Sequence, residues 1–461
     1  MKSGKSALIL STSLALAFVA TPSPAGAPEG PLVIGISHSE GKFFSFAQPI
    51  AMAASPNGVT VAGGLLGTVD FDSGKRDLSL TSGHGFNTFV ANYSPAGKIR
   101  WARAFVGLSV DVSDLAVDTS AASVAVGRFF GSADFDPGPQ EAILTTPGAS
   151  SSGFIVKLDH RGRFEWARQH SEVGAWARAV AIDSRDSIWV ASRPRHPNSL
   201  IKLSSEGELE LQFDTSFEVF DMEAGPDDSV YLTGRFSGLH DFDPGPAVHF
   251  ATSTWQSDVF VLKLSKSGEF RWVATAGGPE GDLGWTLAVG SEGRVLTAGY
   301  CRSYGEVDFD PDPARSHMVR CPSRFLWKLS ADGELEWSHA LRGRVVTADV
   351  DLRPDGSVLV GGWFDGLVDF DPGPDEHLLV PVGLRREDGF LLYLDAQGSF
   401  EWVGRVGGHG SQFSTVVATA GKRDWVGGRF DSPADLDPTD NLLMADARGR
   451  ENLYLVSLIR D

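Results

Sequence analysis

Cysteine is almost missing from this chain. Two in 461 residues exclude a disulfide-dense scaffold and a Cys-rich zinc fold. Positive charge is also in deficit: 40 Lys and Arg face 59 Asp and Glu, a net charge of −19. That balance excludes a basic groove for a phosphate backbone, so no nucleic-acid partner is expected. Long apolar runs are lacking too. The longest, Ala7 to Ala20, is about 14 residues and short for a membrane span. No segment sustains a 3.6-residue helical period. No HExxH, CxxC, GxSxG, P-loop or GxGxxG pattern occurs. What is plentiful is Gly (53) and Pro (25), together with 42% hydrophobic and 21% charged residues. This mixture is too apolar for a disordered chain and points to many turns.

The first residues read as an export leader. Lys2 and Lys5 precede the apolar run, and small residues at Ala25 and Ala27 follow it. Residues 1–27 are expected to be a signal peptide cleaved between 20 and 27. Residues 28–40 are expected to be a linker. No membrane span is expected after removal of the leader, and the mature chain would carry −21. The compartment would be outside the cytoplasm: extracellular, cell surface or periplasmic.

An internal repeat organises the rest. GKIRW (97–101), GRFEW (162–166), GEFRW (268–272), GELEW (333–337) and GSFEW (398–402) place Trp at 101, 166, 272, 337 and 402. The steps are 65, 106, 65 and 65, and the long step hides GELEL at 207–211. Each unit has one order: a short strand, a tight turn, a second strand ending near Gly, an insertion, a third strand such as FIVKL, a four-residue turn, and the Trp strand. The runs are β-branched, aromatic and bounded by turn residues, so they are strands. Seven such units predict an all-β, seven-bladed β-propeller with four-stranded blades over residues 41–461. The last unit stops after its third strand, NLYLVSLIRD, and EGKFFSFAQ (40–48) resembles a missing fourth strand. An N-terminal strand is therefore expected to close the last blade and hide open edges. The segment LVIGIS (32–37) also looks like a strand, with no place left for it.

The unit GEFxW, LAVxxxGxVxxxG, DFDPGP, FVLKL resembles the seven-bladed propeller repeats (SBBP-type) of bacterial secreted proteins. The resemblance covers residues 40–461. It implies an exported propeller and transfers no catalytic residue. The third unit departs from it, lacking both the Trp and the insertion.

DFDPGP is the most specific motif. It and its variants place Asp pairs at Asp70 and Asp72, Asp134 and Asp136, Asp241 and Asp243, Asp308 and Asp310, Asp369 and Asp371, and Asp435 and Asp437. In a strand, Asp-x-Asp puts both carboxylates on one face and the Phe on the other. One reading has Phe plugging the joint between units, the Asp residues capping turns, and Arg128, Arg235 and Arg429 pairing with the first Asp. The other makes each Asp pair part of a Ca²⁺ site completed by loop carbonyls. Calcium is the one cofactor suggested, and no catalytic residue is assigned.

Insertions and inter-unit loops share one face, and loops on a rigid scaffold are where binding concentrates. The third unit has only a short link there, making a basic notch of Arg193, Arg195 and His196. Cys301 and Cys321 flank the insertion of the fifth unit and are expected to form a disulfide worth about 2–3 kcal/mol for a loop of that length. His84, His249, His317 and His377 lie in insertions without matching repeat positions. The expected function is an exported, monomeric, non-catalytic scaffold that presents an acidic long-loop face to a protein or glycan. The alternative is a carbohydrate hydrolase or lyase with its site in the central channel, where converging carboxylates with shifted pKa would be its sign.

Overall fold

Strand pairing follows the repeat closely. The computed structural model describes residues 29–39 and 46–459, apart from 73–75, 84, 149, 171–175, 194–197, 384–385, 440 and 448–450. The leader, His84, Arg195 and His196 lie outside the described residues. All regular structure among the described residues is β-strand, and no helix is long and apolar enough to cross a membrane.

Each repeat is an antiparallel sheet in which a residue run pairs with the next in sequence. The fourth unit is typical: Glu218–Ala224, Val230–Phe236, Asp258–Leu264 and Phe270–Ala276. The first two units share one continuous strand, Ile99–Val117. Its first half pairs with Asn87–Tyr93 and its second half with Ser123–Asp134. The first strands of successive units touch one another in order, and Gln412–Ala420 of the seventh touches Phe46–Ser55 of the first. There Thr415 Oγ1 donates to the carbonyl of Pro49 at 3.1 Å.

The N-terminal strand differs from the expected one. Glu29–Ser39, which contains LVIGIS and spans the expected linker, pairs with Asn452–Ile459 as the fourth strand of the last sheet. EGKFFSFAQ does not fill that place. Its end is already committed, since Phe46 to Gln48 pair with Gly64 to Leu66 as the start of the first hairpin. Residues 40–45 lie outside the described residues.

The Trp strand ties units together. The indole N–H groups of Trp101, Trp166, Trp272 and Trp337 donate at 3.0–3.1 Å to carbonyls in the next unit's third turn or its neighbour: His160, Ser205, Ala331 and Ala396. Gly162 of that turn has φ +71°, and a Cβ there would lie 2.6 Å from the Trp101 ring. Glycine is required twice over, by backbone conformation and by close approach. In the third unit, where Leu211 replaces Trp, Phe213 packs against the equivalent Gly268.

Candidate functional site

The Asp-Phe-Asp motifs resolve into joints between sheets. In the first, second and seventh units the short insertion strand also pairs with the fourth strand of the preceding sheet: Asp70 with His38, Asp134 with Val106, Asp435 with Gly407. Asp70, Asp134, Asp241, Asp308, Asp369 and Asp435 each use Oδ1 to accept two backbone N–H groups at 2.8–3.1 Å. The second residues Asp136, Asp243, Asp310, Asp371 and Asp437 cap the N–H two positions on at 2.7–3.0 Å. Asp72 pairs with Arg76 at 3.3 Å. The central residue is wholly buried. Phe135, for example, lies against Phe105 of the preceding unit and Phe129 and Phe154 of its own.

These carboxylates are committed to turn N–H groups. Among the described residues no three His, Cys, Asp or Glu side chains converge as metal ligands. Nor do the upstream arginines serve the motif: Arg128 pairs with Asp111, Arg235 with Glu218 and Arg429 with Glu451. Each faces an acid on a neighbouring strand instead, which sequence distance did not suggest.

His249, His317 and His377 do occupy matching positions. Each gives its backbone N–H to the first Asp of its motif. The fifth unit's loop is one residue longer, which hid the match. Their rings rest on the sheet, with His249 4.4 Å from Phe270 and His377 3.9 Å from Phe400 between ring centres. Cys301 and Cys321 form the expected disulfide, with Cα atoms 5.8 Å apart.

The chemistry that the motifs do not provide lies in a central cavity of about 760 Å³, lined by the first strand of every unit. Those first strands are edges. Their outer hydrogen bonds go to the second strand, and the inner edge needs other partners. Carboxylates supply them. Asp114 accepts from its own strand at Leu115 N and from the next unit at Val180 N, at 2.7 and 2.8 Å. Asp221 does the same with Met222 and Leu287, both at 2.8 Å. Asp349 does so with Val350 at 3.0 Å and Val417 at 2.9 Å, and takes the Thr286 hydroxyl at 3.0 Å. Two residues further along, Glu223 accepts from Val289 N at 2.7 Å, and Asp351 accepts from Leu352 N at 2.6 Å and from Thr419 N.

Five acids around one cavity repel one another. Burial, reinforced by the neighbouring carboxylates, raises Asp349 to about 7, and burial raises Asp351 to about 6. Burial first, then the mutual repulsion, also holds Asp114 and Glu223 well above the ordinary carboxylate range. Burial raises Asp221 in the same direction. Part of this set is therefore protonated near neutral pH. Sequence reading missed these acids, although aligning the first strands on their bulges exposes them. Asp114, Asp221 and Asp349 fall at one position of the second, fourth and sixth units.

The bulge itself sets the mouth of the cavity. Every first strand carries a register shift near its start, at the end shared with the insertions. A bulge re-aims its extra residue. In the third, fourth and fifth units these extra residues are Arg178, Phe220 and Trp285, all lining the cavity. The Arg178 guanidinium lies 3.9 Å from the centre of the Phe220 ring, 5.3 Å from Trp176 and 5.5 Å from Trp285. Trp285 is 49% exposed. Arg193, the described member of the expected notch, exchanges backbone hydrogen bonds with Trp176 at 3.2 and 2.9 Å, which puts Arg193 beside this collar.

The sequence matches no protein-family model and no curated protein. Solved structures with a similar fold include RRP9 WD40 repeats, 11% identical, covering 95% of this chain and 99% of that one at a TM-score of 0.48. The Dos1 propeller is 10% identical over 91% and 93% of the two chains, TM-score 0.43. The Neurospora crassa Pan2 WD40 domain is 10% identical over 76% and 89%, TM-score 0.39. The chain is all-β and its structural likenesses are β-propellers.

Proposed function

We propose that the chain is a seven-bladed propeller of four-stranded blades, closed by its N-terminal strand, exported, and acting as a monomeric, non-catalytic binding scaffold. The repeat is read as SBBP-type. Its partner, a protein or a glycan, is taken at the acid-rich end that carries the insertions and the cavity mouth. One observation carries the non-catalytic reading. Asp114, Asp221, Asp349 and Asp351 each bridge to the backbone N–H of a neighbouring first strand. A general acid or base must reach its substrate, whereas these groups are spent on satisfying exposed strand edges.

The enzyme alternative draws on the same acids, because raised carboxylates around a cavity are what acid–base chemistry needs. The two readings separate in one assay. Polysaccharides run through gels containing the protein are expected to be retained with no new reducing ends or unsaturated products. Their appearance, and their loss in Asp349→Asn, would overturn the scaffold reading.

A further inference from the structure

Four arginines surround the cavity mouth, and three have carboxylate partners. Arg128 meets Asp111 at 3.1 Å. Arg193 and Arg235 share Glu218 at 3.2 and 3.1 Å. Arg178 is different. Among the described residues its guanidinium makes ring contacts and no ion pair or hydrogen bond. Burial and the nearby Arg193 push its pKa down to about 10, so it stays a cation at neutral pH. A half-buried guanidinium has five donors in a fixed fork and suits a carboxylate placed edge-on.

The surroundings restrict which anion fits. Phe220 and Trp285 stand 5.6 Å apart with rings tilted by 41°, and they make an angled apolar wall beside the cation. Ser113 and Thr415 stand at the same bulge level, and one residue deeper the wall carries Thr286 and the bridging carboxylates of Asp114, Asp221 and Asp349, which can accept from hydroxyls. A cavity of this size accepts a small ligand rather than a folded partner. The charge of the whole chain is −19, so an anionic polymer lying along the surface is repelled. An anion is accepted only where arginines cluster.

We propose that Arg178 anchors the carboxylate of an acidic sugar at the end of a glycan, with the sugar ring lying against Trp285 and Phe220 and its hydroxyls facing the polar wall. This rests on the binding-scaffold reading and names its ligand class. Sugar rings present C–H faces to aromatic walls and hydroxyls to polar groups at once, which an acidic peptide side chain does not.

Intrinsic tryptophan fluorescence tests it, with Trp176 and Trp285 as reporters. Three probes are compared on the full chain: a galacturonate trimer, uncharged maltotriose and a triglutamate peptide. The trimer is expected to give saturable quenching that weakens with added salt. Arg178→Gln should weaken it at least tenfold, the loss of a charge-assisted pair, and Arg178→Lys should restore only part. Trp285→Ala, at a half-exposed position, should also weaken it and keeps the test open if the arginine variants misfold. Equal binding of maltotriose with no effect of Arg178→Gln overturns the anion anchor and leaves the scaffold reading standing. Tighter binding of triglutamate overturns the sugar assignment. No saturable response to any probe overturns the site.

Discussion

Asp349→Asn isolates the cost of ionising the cavity. Asn resembles the protonated acid in shape but keeps one oxygen, enough for only one of the N–H groups of Val350 and Val417, which meet Oδ1 and Oδ2 of Asp349 separately, so the variant starts with a fixed cost at every pH. In the folded chain Asp349 holds its proton up to about pH 7, against an ordinary value of 3.8. Between those values the folded state binds more protons than the unfolded state. The contribution of Asp349 to wild-type stability is therefore fullest below about pH 4 and falls as pH rises through 7. Each pH unit in that window is worth about 1.4 kcal/mol. From pH 5 to pH 8 wild type loses about 2.7 kcal/mol at this group, a ceiling because water enters the cavity and screens the charge. The variant lacks that loss. At roughly 2.1 cal/mol/K per residue, unfolding entropy for a chain of this size is about 0.9 kcal/mol/K, so the Tm of the variant minus that of wild type should rise by up to about 3 °C. Urea unfolding and thermal melts of both proteins at pH 5 and pH 8 measure it. A signed difference, variant minus wild type, that stays constant or falls between pH 5 and pH 8 would refute the assignment, whatever the variant's stability at one pH.

Three further outcomes follow from particular contacts. Gly162→Ala meets the Trp101 ring, whereas Gly148→Ala, at φ +60°, meets open space; the second should cost about 1 kcal/mol and the first clearly more in paired melts. Reducing the buried Cys301–Cys321 bridge should lower stability by about 2–4 kcal/mol, read as a drop in urea midpoint absent from a Cys301→Ser/Cys321→Ser double variant. EDTA should leave the melting temperature unchanged, since the Asp-x-Asp carboxylates serve backbone N–H groups; a downward shift reversed by calcium would contradict that geometry.

Repeat spacing made the sheets legible, because turn residues and β-branched runs act locally and recur with every unit. The anchoring role of Trp101 and its relatives was legible for the same reason. The N-terminal partner was not. Both LVIGIS and EGKFFSFAQ have strand character, and choosing between them needs to know that Phe46 to Gln48 are already paired with Gly64 to Leu66. The cavity acids escaped because one carboxylate in a short apolar strand, such as Asp114 in VDVSDLAV, reads as ordinary alternation. Only stacking several units puts those acids opposite each other. Arg178 was hidden by the bulge before Ala179, which turns a strand residue out of the expected face.

The bridging acids give the interior a symmetry that the repeat itself does not have. Asp114 links the second unit to the third, Asp221 the fourth to the fifth, and Asp349 the sixth to the seventh. The matching positions of the first, third, fifth and seventh units are Ala51, Ala179, Thr286 and Val416. The true period of the interior is thus a donor–acceptor couple of two units. The three couples leave the first unit over, and it adjoins the seventh, where Glu29–Ser39 pairs with Asn452–Ile459. Deleting one whole couple would leave the other carboxylate bridges intact, where deleting a single member of a couple would break one.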